Sequence, residues 1–341
     1  MRSMVQVVLF IVSLDHWTYL QTSSSPLMPT YDGLPVFPDV SGSNQADPSS
    51  NKHSNSHSQI AAPRSRRQPH PGEVSFLGIS LHPMSLEQLT ETVEQGVQEN
   101  RRWVITNHNM HSLYLFHRMP KLQEFYKDAH WTFIDGMSLI ALSNLYGHAL
   151  ERKQRVTLAD WMHPLMETAA LRGWRVFNLG SSEGVGEKAA KELRRLYPRL
   201  QIEVSSGYFN ASQGSAENEA VLQRINTYAP DLLMVGMSMP RQEFWTQENF
   251  ARLNAPVILS SNGAAIDYIA GVVPTPPRWT GQIGLEWAFR LIHEPRRLFG
   301  RYLVEPWYLL RLLTMDFLRK GGRLSSRSGE EPLGETLPEG L

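Results

Sequence analysis

The stretch WTFIDGM, Trp131–Met137, joins a short run of aromatic and β-branched residues to a glycine and the start of a helical pattern. In a parallel α/β protein such a junction lies at the carboxyl edge of a strand, where ligands bind. Its single carboxylate, Asp135, is therefore a candidate catalytic residue. Asp is also a favoured N-cap residue, so a helix starting at Met137 offers Asp135 a purely structural role as the alternative.

Strands and helices alternate on both sides of this junction. Short apolar runs predict strands at 74–79, 103–106, 131–134, 174–179, 200–205, 232–237 and 257–260. Helical patterns lie between them at 85–99, 110–127, 137–146, 159–171, 184–196, 216–228 and 241–253. Strict alternation with apolar strands predicts an α/β fold, a mostly parallel, Rossmann-like sheet covered by helices on both faces.

Composition places most of the chain among globular proteins. Of its 341 residues, 41% are hydrophobic and 10% aromatic, which is enough to bury a core. Lysine plus arginine equals aspartate plus glutamate at 33 each, so the overall charge indicates no nucleic-acid partner. The chain has no cysteine, which excludes disulfides, thiolate metal sites and a cysteine nucleophile.

The N-terminal region differs in composition from the rest of the chain. An apolar run at Met4–Leu14 has the length of a signal-peptide core and is short for a membrane span. Ser, Pro, His and Asn dominate from Thr22 to Pro71, which predicts a disordered linker. We expect residues 1–72 to act as a signal, an anchor or a tether, or to precede a later start at Met28 or Met84.

Polar loops follow three of the predicted strands. They are Asn107–Asn109 after the second strand, Gly180–Gly184 after the fourth and Ser238–Glu243 after the sixth. The carboxyl ends of parallel strands share one edge of a sheet, so we expect the three loops to converge there. The turn GSSEG at 180–184 would let backbone amides approach a phosphate, although an ordinary tight turn fits it equally well.

Several site types are absent or weak in the sequence. Glycines at 180, 184 and 186 do not match the G-x-G-x-x-G spacing, and no acid ends the next strand, so a dinucleotide site is a minor alternative. No Asp-x-Asp pair, His-Glu-x-x-His pattern or Gly-x-Ser-x-Gly elbow occurs. His108 and His111 could share a helical face, but hydrogen-bonded or solvated histidines explain them better than a metal site. We predict no metal site.

The C-terminal part of the chain is locally basic. From Gly281 to Arg323 there are eight basic residues against four acidic ones, interleaved with aromatic residues. Pro295 and Pro306 divide this part into short helices. Helical spacing places three arginines, Arg290, Arg297 and Arg301, on one face. Such a surface suits anionic headgroups or a lipid diphosphate, with a helix packed on the core as the alternative.

The chain therefore divides into four predicted parts. These are the N-terminal run and linker at 1–72, an α/β core at 73–278, a basic and aromatic helical appendage at 279–323, and a polar, acidic tail at 324–341. The tail is predicted to be disordered, because it has too little apolar surface to offset chain entropy.

Seven segments in this order resemble one known family, the WecG/TagA/CpsF glycosyltransferases (glycosyltransferase family 26). They read VITNHNMHSLYL, IDGMSL, QRVTLADW, FNLGSSEGV, PDLLMVGMSMPRQEFW, SSNGAAIDYIAG and GLEWAFRLIHEPRRLFGRYL. The resemblance runs from about residue 73 to residue 302. Its most specific parts are the Asp-Gly-Met junction, the Pro-x-Gln-Glu segment at Pro240–Glu243 and the arginine-rich C-terminal end.

The resemblance implies an inverting, metal-independent and cofactor-free transfer of a sugar. The donor would be a UDP-sugar and the acceptor a polyprenyl-diphosphate-linked saccharide at the cytoplasmic face of a bacterial inner membrane, where the enzyme would be peripheral. N-acetylmannosamine, its uronic acid and glucose all occur as transferred sugars. The wording of RVTLADW and EPWYLL resembles the exopolysaccharide branch more than the teichoic-acid branch. A monomer and a homo-oligomer both stay open.

The resemblance also implies roles for individual residues. Asp135 would be the general base, and Arg155 would neutralise the diphosphate leaving group unless it is only a surface cation. Gln242 resembles a nucleotide or sugar contact, whereas Glu243 would favour the helix N-terminus. The predicted substrate-binding set is Thr106, Asn107, Asn109, Gly136, Gly180, Ser181, Gly236, Arg241, Gln242 and Asp267. Asp267 could equally be a capping residue.

The C-terminal arginines complete the implied site. Arg290, Arg297 and Arg301 would bind lipid or diphosphate, and the appendage would dock on the membrane surface. Two other functions fit the residues less well. One is a non-catalytic module that binds a nucleotide sugar or a lipid, and the other is an NAD-linked sugar oxidoreductase.

Overall fold

A computed structural model of the chain describes residues 70, 72–261, 264–274, 286–293 and 295–320. Its centre is a six-stranded sheet in which every described pairing is parallel, with strand order β4-β3-β8-β7-β5-β6. The strands are β3 Trp103–His108, β4 Trp131–Ile134, β5 Arg175–Gly180, β6 Gln201–Ser205, β7 Leu232–Gly236 and β8 Val257–Ser260. The predicted α/β fold is confirmed.

Helices fill the connections between these strands. In the core they are α1 Leu86–Gln98, α2 Met110–Arg118, α3 Pro120–Asp128, α4 Met137–Leu145, α5 Leu158–Arg172, α6 Val185–Leu196, α7 Ala216–Tyr228, α8 Arg241–Asn249 and α9 Ala265–Ile269. Two short 3₁₀ turns, Arg152–Gln154 and Phe250–Arg252, adjoin them. Successive strand residues such as Val104 and Ile105 belong to different core clusters, because their side chains point to opposite faces of the sheet.

The predicted first strand is wrong. Residues 74–79 do not join the main sheet; instead β1 Val74–Phe76 and β2 Ile79–Leu81 form a separate antiparallel pair. The turn between them places Leu77 at φ +48° and Gly78 at φ +74°. Two successive left-handed residues reverse the chain, and Leu77 hides this turn in the sequence because it reads as part of an apolar run.

The predicted helix 110–127 is also wrong in one respect, since it is two helices. Helix α2 ends at Arg118 and α3 begins at Pro120, with Met119 extended between them at φ −129°, ψ 99°. Proline suits the first position of a helix, and the residue before it avoids the helical region. The continuous apolar pattern on both sides of Pro120 conceals the break.

The C-terminal appendage is helical and packs on the core. It comprises α10 Glu286–His293, α11 Pro295–Phe299, a π-turn at Gly300–Val304 and α12 Glu305–Arg319. Leu309 and Leu313 of α12 are buried among core residues of α2 and α4. No helix in the described ranges is both long and apolar enough to cross a bilayer.

Some predictions fall on residues that the structure does not describe. They are the apolar N-terminal run and linker up to residue 69, the residues 275–285 that precede α10, and the C-terminal tail at 324–341.

Candidate functional site

One cavity of about 1370 Å³ lies at the carboxyl edge of the parallel sheet. The loops that follow all six strands contribute to its wall, as the shared edge of parallel strands requires. Ten of the predicted site residues line it: Asn107, Asn109, Asp135, Arg155, Ser181, Gly236, Arg241, Gln242, Asp267 and Arg301. The predicted convergence of the polar loops is therefore confirmed.

Asp135 follows the last residue of β4, and two neighbouring strand ends hold it. Its backbone N–H donates to the carbonyl of His108 at 2.9 Å. Its carboxylate accepts a 3.3 Å hydrogen bond from Nδ2 of Asn107. The Asn107 amide is oriented in turn by Ser261, whose Oγ donates to Oδ1 at 2.5 Å. Neighbouring β3 and the residue after β8 thus set the position of the candidate base.

The N-cap position of α4 belongs to Gly136, not to Asp135. Gly136 has φ +119°, a backbone conformation that residues other than glycine rarely adopt. Gly136 itself lies outside the cavity wall, whereas the Asp135 side chain lies in it. The sharp turn at Gly136 therefore separates the carboxylate from the helix that follows.

Arg155 is brought beside Asp135 by backbone pairing. It forms an isolated parallel bridge with Ile134, and the N–H of Val156 donates to the Ile134 carbonyl at 2.9 Å. The chain around Arg155 therefore runs alongside the end of β4, one residue before Asp135. Its neighbour Lys153 forms an exposed ion pair with Glu151 at 2.8 Å, as a surface cation would. Arg155 instead lines the cavity.

The two other predicted polar residues of this edge have structural duties. The side chain of Asn109 accepts from the backbone N–H of Ser112 at 3.0 Å and caps α2, while still lining the cavity. Thr106 is fully buried and donates to the carbonyl of Ser260 at 3.0 Å. The structure places Thr106 behind the cavity wall and not in it.

Glycines let β5 and β7 approach closely at the floor of the cavity. Gly180 and Gly236 are partners in the parallel register. A Cβ atom added to Gly180 would lie 2.5 Å from the Gly236 carbonyl oxygen, so a side chain cannot be accommodated there without movement of the backbone. Gly180 does not line the cavity, but Ser181 and Ser182 of the following turn do.

The loop after β7 carries Arg241, Gln242 and Glu243 into the first turn of α8. Arg241 donates to the carbonyl of Phe209 at 2.5 Å and lines the cavity. Gln242 lines it too and donates from Nε2 to Oε1 of Glu243 at 2.8 Å. Glu243 is an acid in the first turn of α8, as predicted, but its side chain is fully buried. Burial raises the pKa of Glu243 to about 8.

The positions of Asp267 and His108 in the structure decide between the alternative roles that the sequence leaves open. Asp267 is the third residue of α9, whose N-cap position is Ala264, and it lines the cavity. His108 is fully buried with Nδ1 at 2.8 Å from Ser112 Oγ, and burial lowers its pKa to about 3. Among the described residues no group of three His, Asp or Glu side chains could hold a metal ion.

The appendage contributes to the same cavity. Leu298, Arg301 and Glu305 line it. His111 of α2 donates from Nδ1 to both carboxylate oxygens of Glu305, at 2.8 and 2.9 Å. This contact joins the core to the start of α12 at the cavity edge. Arg290 and Arg297 lie on α10 and α11, but their side chains are outside the part of the chain that the structure describes.

Several lining residues are missed by sequence reasoning. His111 and Glu305 are 194 positions apart, and no local pattern pairs them. Ser261 follows β8 and Tyr208 follows β6, so the rule that ligands bind at strand ends would have found both. Tyr208 is 74% exposed at the cavity rim.

A carboxylate and arginines in a cavity at the carboxyl edge of a parallel sheet are typical of one class of protein, the α/β enzymes that act on anionic ligands. The chain belongs to the family described as "Glycosyl transferase WecG/TagA/CpsF family", whose profile matches residues 74–322. It is therefore a glycosyltransferase.

Relatives of known name agree with this assignment. Two proteins from Staphylococcus aureus, of strains MRSA252 and MW2, are each 23% identical to this chain over 250 residues. The match covers 70% of this chain and 92% of each relative. Both are named N-acetylglucosaminyldiphosphoundecaprenol N-acetyl-beta-D-mannosaminyltransferase.

Proposed function

We propose that the protein transfers a sugar from a UDP-sugar to a polyprenyl-diphosphate-linked saccharide, with inversion and without a metal ion. The observation that carries this proposal is the placement of Asp135, Arg155 and the appendage residue Arg301 in one cavity. N-acetylmannosamine is the first sugar to test, because it appears in the names of the relatives. Its uronic acid and glucose are the other candidates.

Asp135 acts as the general base in this proposal. The acceptor hydroxyl attacks the anomeric carbon, and its proton passes to the Asp135 carboxylate. The bond from the anomeric carbon to the acceptor oxygen forms as the bond to the UDP oxygen breaks, so UDP leaves with the electron pair. A positioned base of this kind contributes about 10²–10⁴-fold in rate.

Arginine supplies the positive charge that the leaving diphosphate needs. Arg155 reaches the cavity from the core and Arg301 from the appendage. Guanidinium groups bind phosphate oxygens in a bidentate manner and keep their charge at all accessible pH values. Unchanged transfer in the presence of EDTA would support metal independence, and loss of transfer that Mg²⁺ or Mn²⁺ restores would contradict it.

The appendage also supports peripheral docking on the cytoplasmic face of the membrane. Ile292, Phe299, Trp307 and Leu318 are each more than half exposed, on helices that also carry arginines. Apolar and aromatic side chains beside cationic ones suit the interface of an anionic bilayer.

Vesicle sedimentation tests this docking. The protein should bind phosphatidylglycerol vesicles more strongly than neutral ones, and Trp307→Ser should weaken that binding. Leu171→Ser is the matched control, because Leu171 is 71% exposed on α5, outside the appendage. Equal weakening by both variants would contradict docking through the appendage.

Release of UDP tests the function as a whole. Wild-type protein should release UDP from UDP-N-acetylmannosamine only when polyprenyl-diphosphate N-acetylglucosamine is present. Asp135→Asn should lower this rate by about 10²–10⁴-fold and leave UDP binding unchanged, because it removes only the base. Asp128→Asn, on the exposed end of α3, is the control.

Other outcomes of the same assay identify other functions. Transfer from UDP-glucose or from the uronic acid would change the sugar but keep the reaction. Binding of the UDP-sugar without turnover for any acceptor would indicate a binding module. Binding of NAD in place of UDP would indicate an oxidoreductase.

A further inference from the structure

Glu243 is a buried acid directly behind a cavity residue. Its side chain is fully buried, and one oxygen, Oε1, accepts a 2.8 Å hydrogen bond from Nε2 of Gln242. The other oxygen, Oε2, has no hydrogen-bond partner in the part of the chain that the structure describes. Gln242 is only 3% exposed, yet it lines the cavity. Glu243 does not line it.

A buried carboxylate restricts how the neighbouring amide can be oriented. An ionised carboxylate only accepts hydrogen bonds, so the amide nitrogen of Gln242 and not its oxygen must face it. Rotation of the amide by 180° would place Oε1 against the carboxylate oxygen and lose the bond. The Oε1 acceptor and one N–H of Gln242 therefore remain for a ligand, in a fixed arrangement.

The position of Gln242 is fixed in the backbone as well. Its N–H donates to the carbonyl of Ser238 at 3.1 Å, so the first turn of α8 is anchored to the loop that follows β7. Only the orientation of the Gln242 side-chain amide is then left undetermined by the backbone. Without an acceptor behind it, the amide could present either its nitrogen or its oxygen to the cavity.

We propose that Glu243, in its ionised form, is a positioning residue that orients the Gln242 amide, so that Gln242 presents its oxygen to a hydrogen-bond donor of the sugar nucleotide. The group recognised is a hydroxyl of the sugar or ribose, or the N–H of the base. The identity of this ligand rests on the proposed function. Glu243 acts through Gln242 and does not touch the ligand.

The location of Glu243 makes this role dependent on pH. Burial raises the pKa of Glu243 to about 8, so near neutral pH the acid is largely protonated. Tyr126 is the titratable neighbour that interacts with the charge of Glu243. Burial raises the pKa of Tyr126, and the negative charge of Glu243 raises it further. A protonated Glu243 can donate to the Gln242 oxygen and stabilise the opposite amide orientation.

A double-mutant cycle tests the proposal by isothermal titration with UDP-N-acetylmannosamine and UDP-glucose at pH 8.5. Glu243→Gln keeps the volume and removes the charge, and it should weaken binding about tenfold, the size expected when a charge-assisted hydrogen bond is lost. In a Gln242→Ala background the same change should have no effect, because the amide is gone. The Michaelis constant for the donor should rise while kcat changes little.

Glu248→Gln is the matched control on the same helix. Glu248 pairs with Lys121 at the surface, and exposed pairs contribute little, so donor binding should not change. If Glu243→Gln weakens binding equally in both backgrounds, or only lowers the melting temperature, the positioning role is wrong.

The pH dependence of the unmodified site provides a second measurement that needs no Glu243 variant. Donor affinity should rise between pH 7 and 9 in the wild type and stay flat in Gln242→Ala. A flat wild-type profile would overturn the proposal. If the wild type binds neither UDP-sugar, the proposed function fails as well, whereas normal wild-type binding with an unaffected Glu243→Gln variant overturns only this inference.

Discussion

The core and the appendage bring their charged residues to the cavity in different ways. In the core, backbone hydrogen bonds to His108 and Ile134 place Asp135 and Arg155 directly at the end of β4. In the appendage, Arg301 lies on a π-turn that is joined to the core at the cavity by the side chains of His111 and Glu305.

This difference concerns how firmly each part of the site is held. Backbone pairing in a buried sheet cannot be removed by changing one side chain, so the main-chain positions of Asp135 and Arg155 should tolerate most substitutions of neighbouring side chains. The appendage half depends on a few side-chain contacts, among them His111 with Glu305 and Tyr146 with Asp316. We therefore expect the core to determine the chemistry and the appendage to determine when the site is complete.

The largest expected effect is a difference in kinetics between variants of Arg155 in the core and Arg301 in the appendage. Arg155→Ala should lower kcat by about 10²–10³-fold, the size found when a group that stabilises transition-state charge is removed. Arg301→Ala should have a smaller effect, mainly on the Michaelis constant of the lipid acceptor. Steady-state kinetics with both substrates measures this. Arg172→Ala, an exposed cation paired with Glu94, is the control, and an equal loss for Arg155 and Arg301 would contradict the division of roles.

The contact between His111 and Glu305 is the next test. His111→Ala should raise the Michaelis constant for the lipid acceptor about tenfold, because it leaves a mostly buried carboxylate without its partner. Exchange of the two residues, His111→Glu with Glu305→His, should restore much of the lost affinity. If the Michaelis constant for the lipid acceptor in His111→Ala equals that of the wild type, and the exchanged variant has no higher affinity than His111→Ala, the pair does not position the appendage.

A stability measurement sharpens the description of the core. The pKa of Glu243 is raised from its ordinary value of 4.5 to about 8, so the folded state favours the protonated acid. The stability from this group is present below pH 4.5 and is lost as pH rises towards 8, with a slope of at most about 1.4 kcal/mol per pH unit.

Denaturant unfolding at several pH values checks this expectation. Glu243→Gln should flatten the loss of stability between pH 5 and 8, because glutamine does not ionise. A wild-type curve and a variant curve that run parallel over this range would contradict a buried, protonated Glu243.

The smallest expected effect concerns packing of the appendage. Tyr146, the residue directly after α4, donates its hydroxyl to Oδ2 of Asp316 on α12 at 2.7 Å. Tyr146→Phe should lower the free energy of unfolding by about 1–2 kcal/mol, since the carboxylate loses one hydrogen bond. Thermal or denaturant unfolding measures it. Tyr208→Phe, at an exposed position, should change stability by less than about 0.5 kcal/mol.

Most of the sheet could be predicted from the sequence, because each strand is a short apolar run with a polar loop behind it. The predicted elements are wrong where a turn or a helix break occurs within a run of apolar residues. Leu77 and Gly78 reverse the chain inside an apolar run, and Pro120 starts a new helix inside a continuous apolar pattern. Backbone conformation at single residues decides such breaks, and periodicity over ten residues does not detect it.

The candidate site was predictable to the extent that it follows strand ends. Asn107 lies at the end of β3, and Asp135 and Gln242 lie beyond the ends of β4 and β7, so their convergence follows from parallel pairing. The roles of Thr106 and Glu243 did not follow, because both side chains point into the core and not into the cavity. Sequence spacing does not indicate which side of a helix turn or strand end is open.

The sequence by itself determined the α/β class, the carboxylate at the end of β4 and, through its motifs, the family. Those features are local, since about ten consecutive residues are enough to specify a strand, the loop after it and the start of a helix. Only the tertiary structure decided that Arg155 stands beside Asp135, that Glu243 supports Gln242 from the core, and that Glu305 reaches His111. Each of these contacts joins side chains whose proximity depends on packing, and packing is a property of the whole chain.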